Sequence, residues 1–311
     1  MLDVSIIIVN WKSTDYLCAC LDSLGQYLRE VSYEIIVVDN HSDDNCETVI
    51  GKKYPEVQLI LSKENLGFAR ANNLGAQGAK GKYLLFMNPD TEIHSDAISG
   101  MVCWMQGHSE AGAVSALLRN TDGTVQESCV QTFPTILNQV LDANVLRRMF
   151  PRSKLWGTEA LHARKNAVKA QAISGACFMT SRIAFDAVNG FCEEYFMYSD
   201  DLDLSYRIRK VGYEIYCLTQ YEVTHHGGKS SSHQFDGFED LKQRESMEQF
   251  LCATRGPSYS RAYRRTMAFA ACVRLILIGG LLTIPRQGER RGRLLGAAQK
   301  WWCILAWGLR R

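Results

Sequence analysis

Short apolar runs that close on polar or acidic side chains, separated by helical stretches, constrain this chain more than any other feature. Val4 to Val9 (VSIIIV) ends at Asn10-Trp11, Glu34 to Val38 (EIIVV) at Asp39-Asn40-His41-Ser42, and Tyr83 to Met87 (YLLFM) at Asn88-Pro89-Asp90. A further run, Val57 to Leu61, follows Pro55. Runs of this length and composition form strands buried on both faces. Leu17, Leu21, Leu24 and Leu28 recur at helical spacing behind Ser13 or Thr14, either of which can cap the helix. Strands alternating with helices predict βαβ units, right-handed crossovers and a doubly wound α/β sheet. Pro89 cannot extend a sheet ladder, so the chain leaves the sheet there and presents Asp90 at the carboxyl end, where open α/β sheets bind ligands.

Later segments fit the same plan. Asn65 to Gly75 (NLGFARANNLG) reads as a loop entering a helix whose small side chains allow close backbone approach. Ala97 to Met105 reads as a helix, Gly112 to Leu118 as a strand before a turn at Asn120 to Gly123, and Ile173 to Thr180 as a strand. Ile183 to Val188 is a short helix stopped by Asn189-Gly190, and Glu214 to Leu218 a late strand. Asn138 to Lys169 is polar, basic and weakly periodic, and is expected to be a mobile segment near the donor or acceptor site.

A chain of 311 residues accommodates one large α/β domain with an appendage, or two domains. Lys plus Arg number 35 against 33 Asp plus Glu, so no global field favours nucleic acid. After Gly256 the charged residues are Arg or Lys, Glu289 excepted, which gives the tail a basic character of its own. Eleven cysteines are scattered without a repeated CxxC pair, and Cys177, Cys217 and Cys272 lie in apolar runs. They are expected to be free, buried thiols of a cytosolic protein. Asp3 directly precedes Val4 to Val9 without a basic leader, so no secretion signal is expected. Neither GxGxxG after the first strand nor GxxxxGK[ST] occurs, which leaves phosphate charge to a metal or to basic side chains.

In a parallel sheet the three strand ends lie on one rim. There Asp39 can accept from a pyrimidine N–H, Asn88 can bond a ribose hydroxyl, and Asp90 can ligate a divalent cation across a diphosphate. Each taken singly is equally a turn-former. Asp200, Asp201 and Asp203 follow the aromatic run Tyr195 to Tyr198. Acids suit a helix N-terminus, and adjacent, partly desolvated carboxylates also have pKa values raised toward the general-base range. Arg207 can clamp Asp203 by i,i+4 pairing. His225, between a strand and Gly227-Gly228, is expected on a loop, where with Asp90 it completes a manganese or magnesium site; its neighbour His226 is expected to be solvated.

With VSIIIVNW, VVDNHSDD, NLGFARANN, FMNPDTEI, SGACFMTSR, NGFCEEYFMYSDDLDLSYR and VTHHGGKS in order, the chain resembles the rhamnosyltransferase-like branch of glycosyltransferase family 2 over about Leu2 to Ser232. The resemblance implies a GT-A fold: α/β, a single mixed, mainly parallel nucleotide-binding sheet flanked by helices. It further implies inverting transfer from a dTDP- or UDP-sugar with a divalent cation, Mg2+ or Mn2+. On it, Asp39 is similar to the base-reading acid, and Asn88-Pro89-Asp90 stands at the Asp-x-Asp motif with Asp90 as the retained metal ligand. Asp201, beside Asp200 where the family has Glu, stands at the general base. Asn65, Gly67 and Asn73 match an Asn-rich loop near the donor, and His225 the histidine ahead of Gly-Gly-x-Ser. Asn10, Asn40 and Ser42, on the same rim as Asp39, complete the expected donor-binding set.

The catalytic domain is expected over 1–250 and a basic, hydrophobic helical tail over 251–311. Met267 to Ile284 is apolar but for Arg274, has arginines on both flanks, and is followed by Trp301, Trp302 and Trp307. This pattern fits an in-plane helix on the cytoplasmic membrane surface, serving a lipid-linked glycan acceptor, and equally an ordinary buried helix pair. The expected activity is sugar transfer to a glycan or lipid-linked glycan in cell-surface polysaccharide synthesis by a cytoplasmic, peripheral enzyme. The alternative is a catalytically inactive nucleotide-sugar-binding scaffold, suggested by Asn88 and Asp200 where the family has other acids.

Overall fold

The apolar runs become adjacent strands. The computed structural model describes residues 2–141, 146, 149–150, 153, 155–158, 161, 166–227, 238–283 and 289–310. Of the expected mobile segment 138–169, residues 142–145, 147–148, 151–152, 154, 159–160 and 162–165 lie outside them, as does the Gly228-Lys229-Ser230 motif. Two units are present, one built of 1–133 and 150–232, the other of 134–149 and 233–311. The expected boundary at 250 thus moves to 232.

In the first unit β1 (Leu2–Asn10), β2 (Tyr33–Asp39), β3 (Gln58–Leu61) and β4 (Gly81–Met87) are parallel, with β1 between β2 and β4. The sheet continues with β5 (Thr91–Ile93), β6 (Ala111–Arg119), β8 (Val168–Ala170), β10 (Cys177–Ser181) and β11 (Glu214–His225), whereas β7 (Val130–Gln131) pairs only with β9 (Ala172–Ile173). The order is β3-β2-β1-β4-β10-β6-β11-β5, with β8 beside β11. β10 runs antiparallel to both β4 and β6, which makes the sheet mixed. The chain leaves β1 first toward β2 and later toward β4, so the crevice between diverging connections opens at the carboxyl end of β1. In register there, Asn10 lies opposite Asp39, and Ile8 opposite Met87.

The helices follow from their apolar spacing. α1 (Thr14–Tyr27) buries Leu17, Leu21 and Leu24, with Leu28 buried just past its end. Its first turn is not capped by Ser13, whose hydroxyl donates to the Trp11 carbonyl; the Asp44 carboxylate accepts from the Thr14 N–H instead. α2 (Cys46–Lys53) precedes β3, and α3 (Gly67–Gln77) lies on β1 and β2. The small residues of α3 matter because a Cβ on Gly75 would come within 2.6 Å of Ile7 Cγ2. α4 (Ala97–Gln106) takes its cap from Asp96.

Three expectations change. Ile173 to Thr180 is not one strand: β9 and β10 are split at Ser174-Gly175-Ala176, where a Cβ on Gly175 would sit 3.5 Å from Asp201 Cβ. The late strand β11 runs on to His225 because, past an irregularity between Leu218 and Glu222, it keeps pairing with β6 and adds β5. His225 is therefore a strand-end residue, not a loop residue. Eleven cysteines are free as expected, yet Cys103 and Cys252 are exposed and Cys272 is half-buried.

In the second unit α5 (Ile136–Leu141) joins α8 (Phe238–Arg255), α9 (Pro257–Leu282) and α10 (Glu289–Leu309). Phe250 and Leu251 of α8 are buried along with Tyr263 and Met267 of α9, which is why 238–250 belongs with the tail. Glu248 of α8 also accepts from Ser260 of α9 and pairs with Arg264 at 3.5 Å. Arg274, in the apolar part of α9, lays its guanidinium over the Trp301 ring at 4.0 Å and donates to the Val140 carbonyl.

Candidate functional site

The strand ends form two corners. At the first, Asn10 Nδ2 donates to Asp39 Oδ1 at 3.1 Å, to Ser42 Oγ at 3.0 Å and to Thr14 Oγ1 at 3.2 Å. Asn10 and Ser42 are buried, and Asp39 is half-buried with acceptor capacity left over. Asn40 next to it clamps the loop before α3: its amide donates to Asn65 Oδ1 and the Gly67 carbonyl, and its Oδ1 accepts from the Leu66 N–H at 2.8 Å. Asn65 Oδ1 also receives the Gly67 N–H. Gly67, at φ +77°, is backed by the Phe196 carbonyl, with which any Cβ would collide. Asn73 lies elsewhere, bridging Phe191 N–H and carbonyl and the Glu193 carboxylate.

At the second corner Asp90 is 2 % exposed, and neither carboxylate oxygen has a hydrogen-bond partner among the described residues. A buried carboxylate without one carries a large desolvation cost. His225 Nε2 lies 3.3 Å from its Oδ1, and Asn88 Nδ2 lies 3.2 Å from the same nitrogen. An orphaned carboxylate oxygen beside an imidazole nitrogen is the donor set of a hard or borderline divalent cation. The residues present therefore fit a metal. The adjacent His226 is not merely solvated, since its Nε2 meets Glu92 Oε1 at 2.6 Å.

A second group of ligand-type atoms, from Asp39, Asp44 and Cys46, lies within 4.8 Å of one another. Burial, and after it the charge of Asp39, pushes the Cys46 thiol up to about 12. Both carboxylates already accept from Asn10 and Thr14.

The helix α7 (Asp200–Lys210), which follows α6 (Arg182–Ala187), begins at the acidic run. Two consecutive residues before it, Tyr198 at φ 67° and Ser199 at φ 59°, are left-handed. Such strain, on the order of 1 kcal/mol or more per residue, persists where packing over-determines it. Asp201 Oδ2 accepts from Gly175 N–H at 2.9 Å and Gln131 Nε2 at 3.2 Å, and its Oδ1 from Leu202 N–H. Asp200 accepts from the Asp201 N–H through Oδ1, while its Oδ2 is buried without a partner among the described residues. Burial, then the charge of Asp201, pushes Asp200 up to about 7; burial also raises Asp201, against the pull of its hydrogen bonds. Asp203 pairs with Arg207 at 2.6 Å, as the i,i+4 spacing predicts.

The turn between β9 and β10 joins the two chemistries. The Ala176 carbonyl accepts from Asn88 N–H, and the preceding residue, Gly175, donates to Asp201. Backbone contacts of one turn thus link the Asp90 corner to the acidic helix. Two site residues escape sequence reading, Gln131 on Asp201 and Gln126, whose Oε1 lies 2.8 Å from His225 Nδ1. No motif marks either glutamine, because each meets its partner only through the sheet.

Comparison with known proteins locates this arrangement. The sequence model described as Glycosyl transferase family 2 matches residues 5–188. The chain is 30% identical over 245 residues, 74% of its length and 78% of the relative's, to the N-acetylglucosaminyl-diphospho-decaprenol L-rhamnosyltransferase of Mycobacterium tuberculosis. It is 25% identical over 238 residues, covering 72% of this chain and 83% of the other, to the rhamnosyltransferase WbbL of Escherichia coli. Its fold is shared with the mannosyltransferase PcManGT from Pyrobaculum calidifontis, solved with GDP-Man and Mn2+ (TM-score 0.59, 17% identity, covering 98% of this chain and 85% of that one). It is shared too with S. aureus TarS 1-349, solved with UDP-GlcNAc (TM-score 0.54, 15% identity, 97% and 81%).

Proposed function

Since this chain belongs to glycosyl transferase family 2 and is a glycosyltransferase, we propose that it is a metal-dependent, inverting enzyme moving a sugar, rhamnose by analogy with its relatives, from a dTDP- or UDP-sugar to a hydroxyl of a lipid-linked glycan. The observation that carries this reading is the buried, unpartnered Asp90 carboxylate beside His225, tied through the Ser174–Ala176 turn to Asp201. Asp39, steadied by Asn10 and Ser42, reads the pyrimidine N–H, and Asn40 and Asn65 hold the Gly67 loop against the donor. Asn73 acts at one remove, by fixing the 190–193 turn.

Asp201 takes the proton of the acceptor hydroxyl as that oxygen attacks the anomeric carbon from the face opposite the diphosphate, through an oxocarbenium-like transition state. Its hydrogen bonds from Gly175, Gln131 and Leu202 aim the carboxylate. A divalent cation bound by Asp90 and His225 would neutralise the departing nucleoside diphosphate.

The acceptor class rests on the tail. The exposed side of α9 carries Phe269, Val273, Ile276 and Leu277, while Arg274 is turned to Trp301 and Val140. By length and composition α9 could cross a membrane, but Arg261 and Arg265 continue its exposed side, and Arg291 of α10 is also exposed. An apolar face bordered by cations suits an anionic membrane surface, where the helix lies in plane and brings the enzyme to a lipid-linked acceptor.

The test is a thermal-shift screen of nucleotide sugars with Mn2+ or Mg2+, followed by transfer assays on Asp201→Asn. A specific donor is expected to raise the melting temperature with the metal present. Asp201→Asn is expected to keep that shift and to lose turnover by at least ~100-fold. No shift with any nucleotide sugar overturns the donor site, and donor binding without turnover by the native protein on any acceptor pool supports the scaffold reading instead.

A further inference from the structure

Gln126 and the turn that holds it lie outside every motif, yet they end on the imidazole of the proposed metal corner. The Asp122 carboxylate, exposed and with its pKa held below the usual range by its hydrogen bonds to Thr124, can only accept. Thr124 Oγ1 must therefore donate to Asp122 Oδ1, at 2.6 Å. Its remaining lone pair then faces Asn120 at 2.9 Å, so the Asn120 amide must present Nδ2 there and turn Oδ1 the other way. Asn120 Oδ1 meets Gln126 at 3.2 Å, which in turn must present Nε2. That leaves Gln126 Oε1 as the atom 2.8 Å from His225 Nδ1. An oxygen acceptor there requires a proton on Nδ1.

We propose that Gln126 is a positioning residue that, with its amide direction imposed by Asp122, Thr124 and Asn120, holds the proton of His225 on Nδ1 and so keeps the Nε2 lone pair for the divalent cation beside Asp90. The inference rests on the metal-corner reading. It adds to it a cause for the ligand geometry: the one neutral tautomer that could not ligate through Nε2 would set a bare Nδ1 against the Gln126 oxygen. Outer hydrogen bonds to metal-binding histidines commonly change affinity by about 10–100-fold.

The test uses the full chain, freed of metal, titrated with Mn2+ by calorimetry, and the ring 15N shifts of His225 in the metal-free protein, assigned by comparison with His225→Gln. Gln126→Leu removes the acceptor at Nδ1. It is expected to weaken Mn2+ binding ~10–100-fold and to move the His225 shifts toward the Nε2–H tautomer. Gln126→Glu keeps an oxygen acceptor and is expected to restore both readouts. Thr124→Val, on the exposed turn, releases the amide directions without touching His225 and is expected to fall between them. Unchanged 15N shifts in Gln126→Leu overturn the proposal whatever the Mn2+ affinity. If the native protein and His225→Gln bind Mn2+ alike, the metal-corner reading fails separately, and the 15N shifts still decide the tautomer.

Discussion

Asp200 and Asp201 are neighbours with different surroundings, and their titration belongs to the pair. Asp201 has three hydrogen bonds to its carboxylate; Asp200 has one, and an unpartnered buried oxygen. Because burial raises both, the acid limb of kcat/KM is expected well above the ordinary carboxylate range, near neutrality, where Asp200 sits at about 7. Asp200→Asn is expected to move that limb to lower pH, which a pH–rate profile reads directly. The sign for stability follows from linkage. A carboxyl whose folded pKa is raised favours folding fully only below the ordinary range, and that contribution is lost as pH rises through about 7. The melting temperature of Asp200→Asn should therefore exceed that of the native protein by more at pH 8 than at pH 5. At this scale Asp39, Asp90 and Asp201 are legible in the sequence because each follows a recognisable strand end or aromatic run. Gln126 and Gln131 are not, since their partners lie 99 and 70 residues away.

The strands and helices that carry these residues were legible for a related reason. Continuous apolar runs such as Val4 to Val9 have few ways to be buried, and β1 is buried from Val4 to Asn10. What local pattern could not convey was a break inside an apolar stretch: Ser174-Gly175-Ala176 reads as strand, and becomes a turn because α7 and β4 need its backbone groups. Nor could it show that β11 extends to His225, which depends on pairing with β5 and β6. Small residues on α3 have a testable consequence. Gly75→Val drives a branched side chain into Ile7 and Val38 and is expected to cost ~1–3 kcal/mol, seen as a lower urea midpoint with the slope unchanged. Gly67→Ala acts differently, because it strains a residue at φ +77° and displaces the Phe196 segment that leads into α7. Its expected signature is a loss of both donor-induced thermal shift and turnover, larger than its loss of stability.

For the molecule as a whole, the sequence conveyed a sheet domain followed by helices but misplaced the division, because 238–250 is polar enough to pass for the end of the first unit while Phe250 and Leu251 bury themselves in the second. The exposed Phe269, Ile276 and Leu277 lead to a prediction at this level. Ile276→Glu is expected to reduce co-sedimentation with vesicles rich in anionic lipid, and raised salt to reduce it further for the native chain, while transfer to a soluble acceptor analogue stays unchanged. Equal sedimentation of the variant and the native chain would rule out that face.

Every residue proposed for the nucleotide corner, and the carboxylate proposed for the cation, from Asn10 to Asp90, comes from the first 90 positions, whereas the proposed base, its glutamine and the proposed ligating histidine come from 131–225. The two sets meet through the Asn88 N–H on the Ala176 carbonyl and through side chains, His225 against Asp90 and Asn88, and Asn73 against Phe191 and Glu193. Neither half holds a complete site, so a chain recombined across the 94–96 connection would have to bring a histidine matched to Asp90 as well as a new acidic helix.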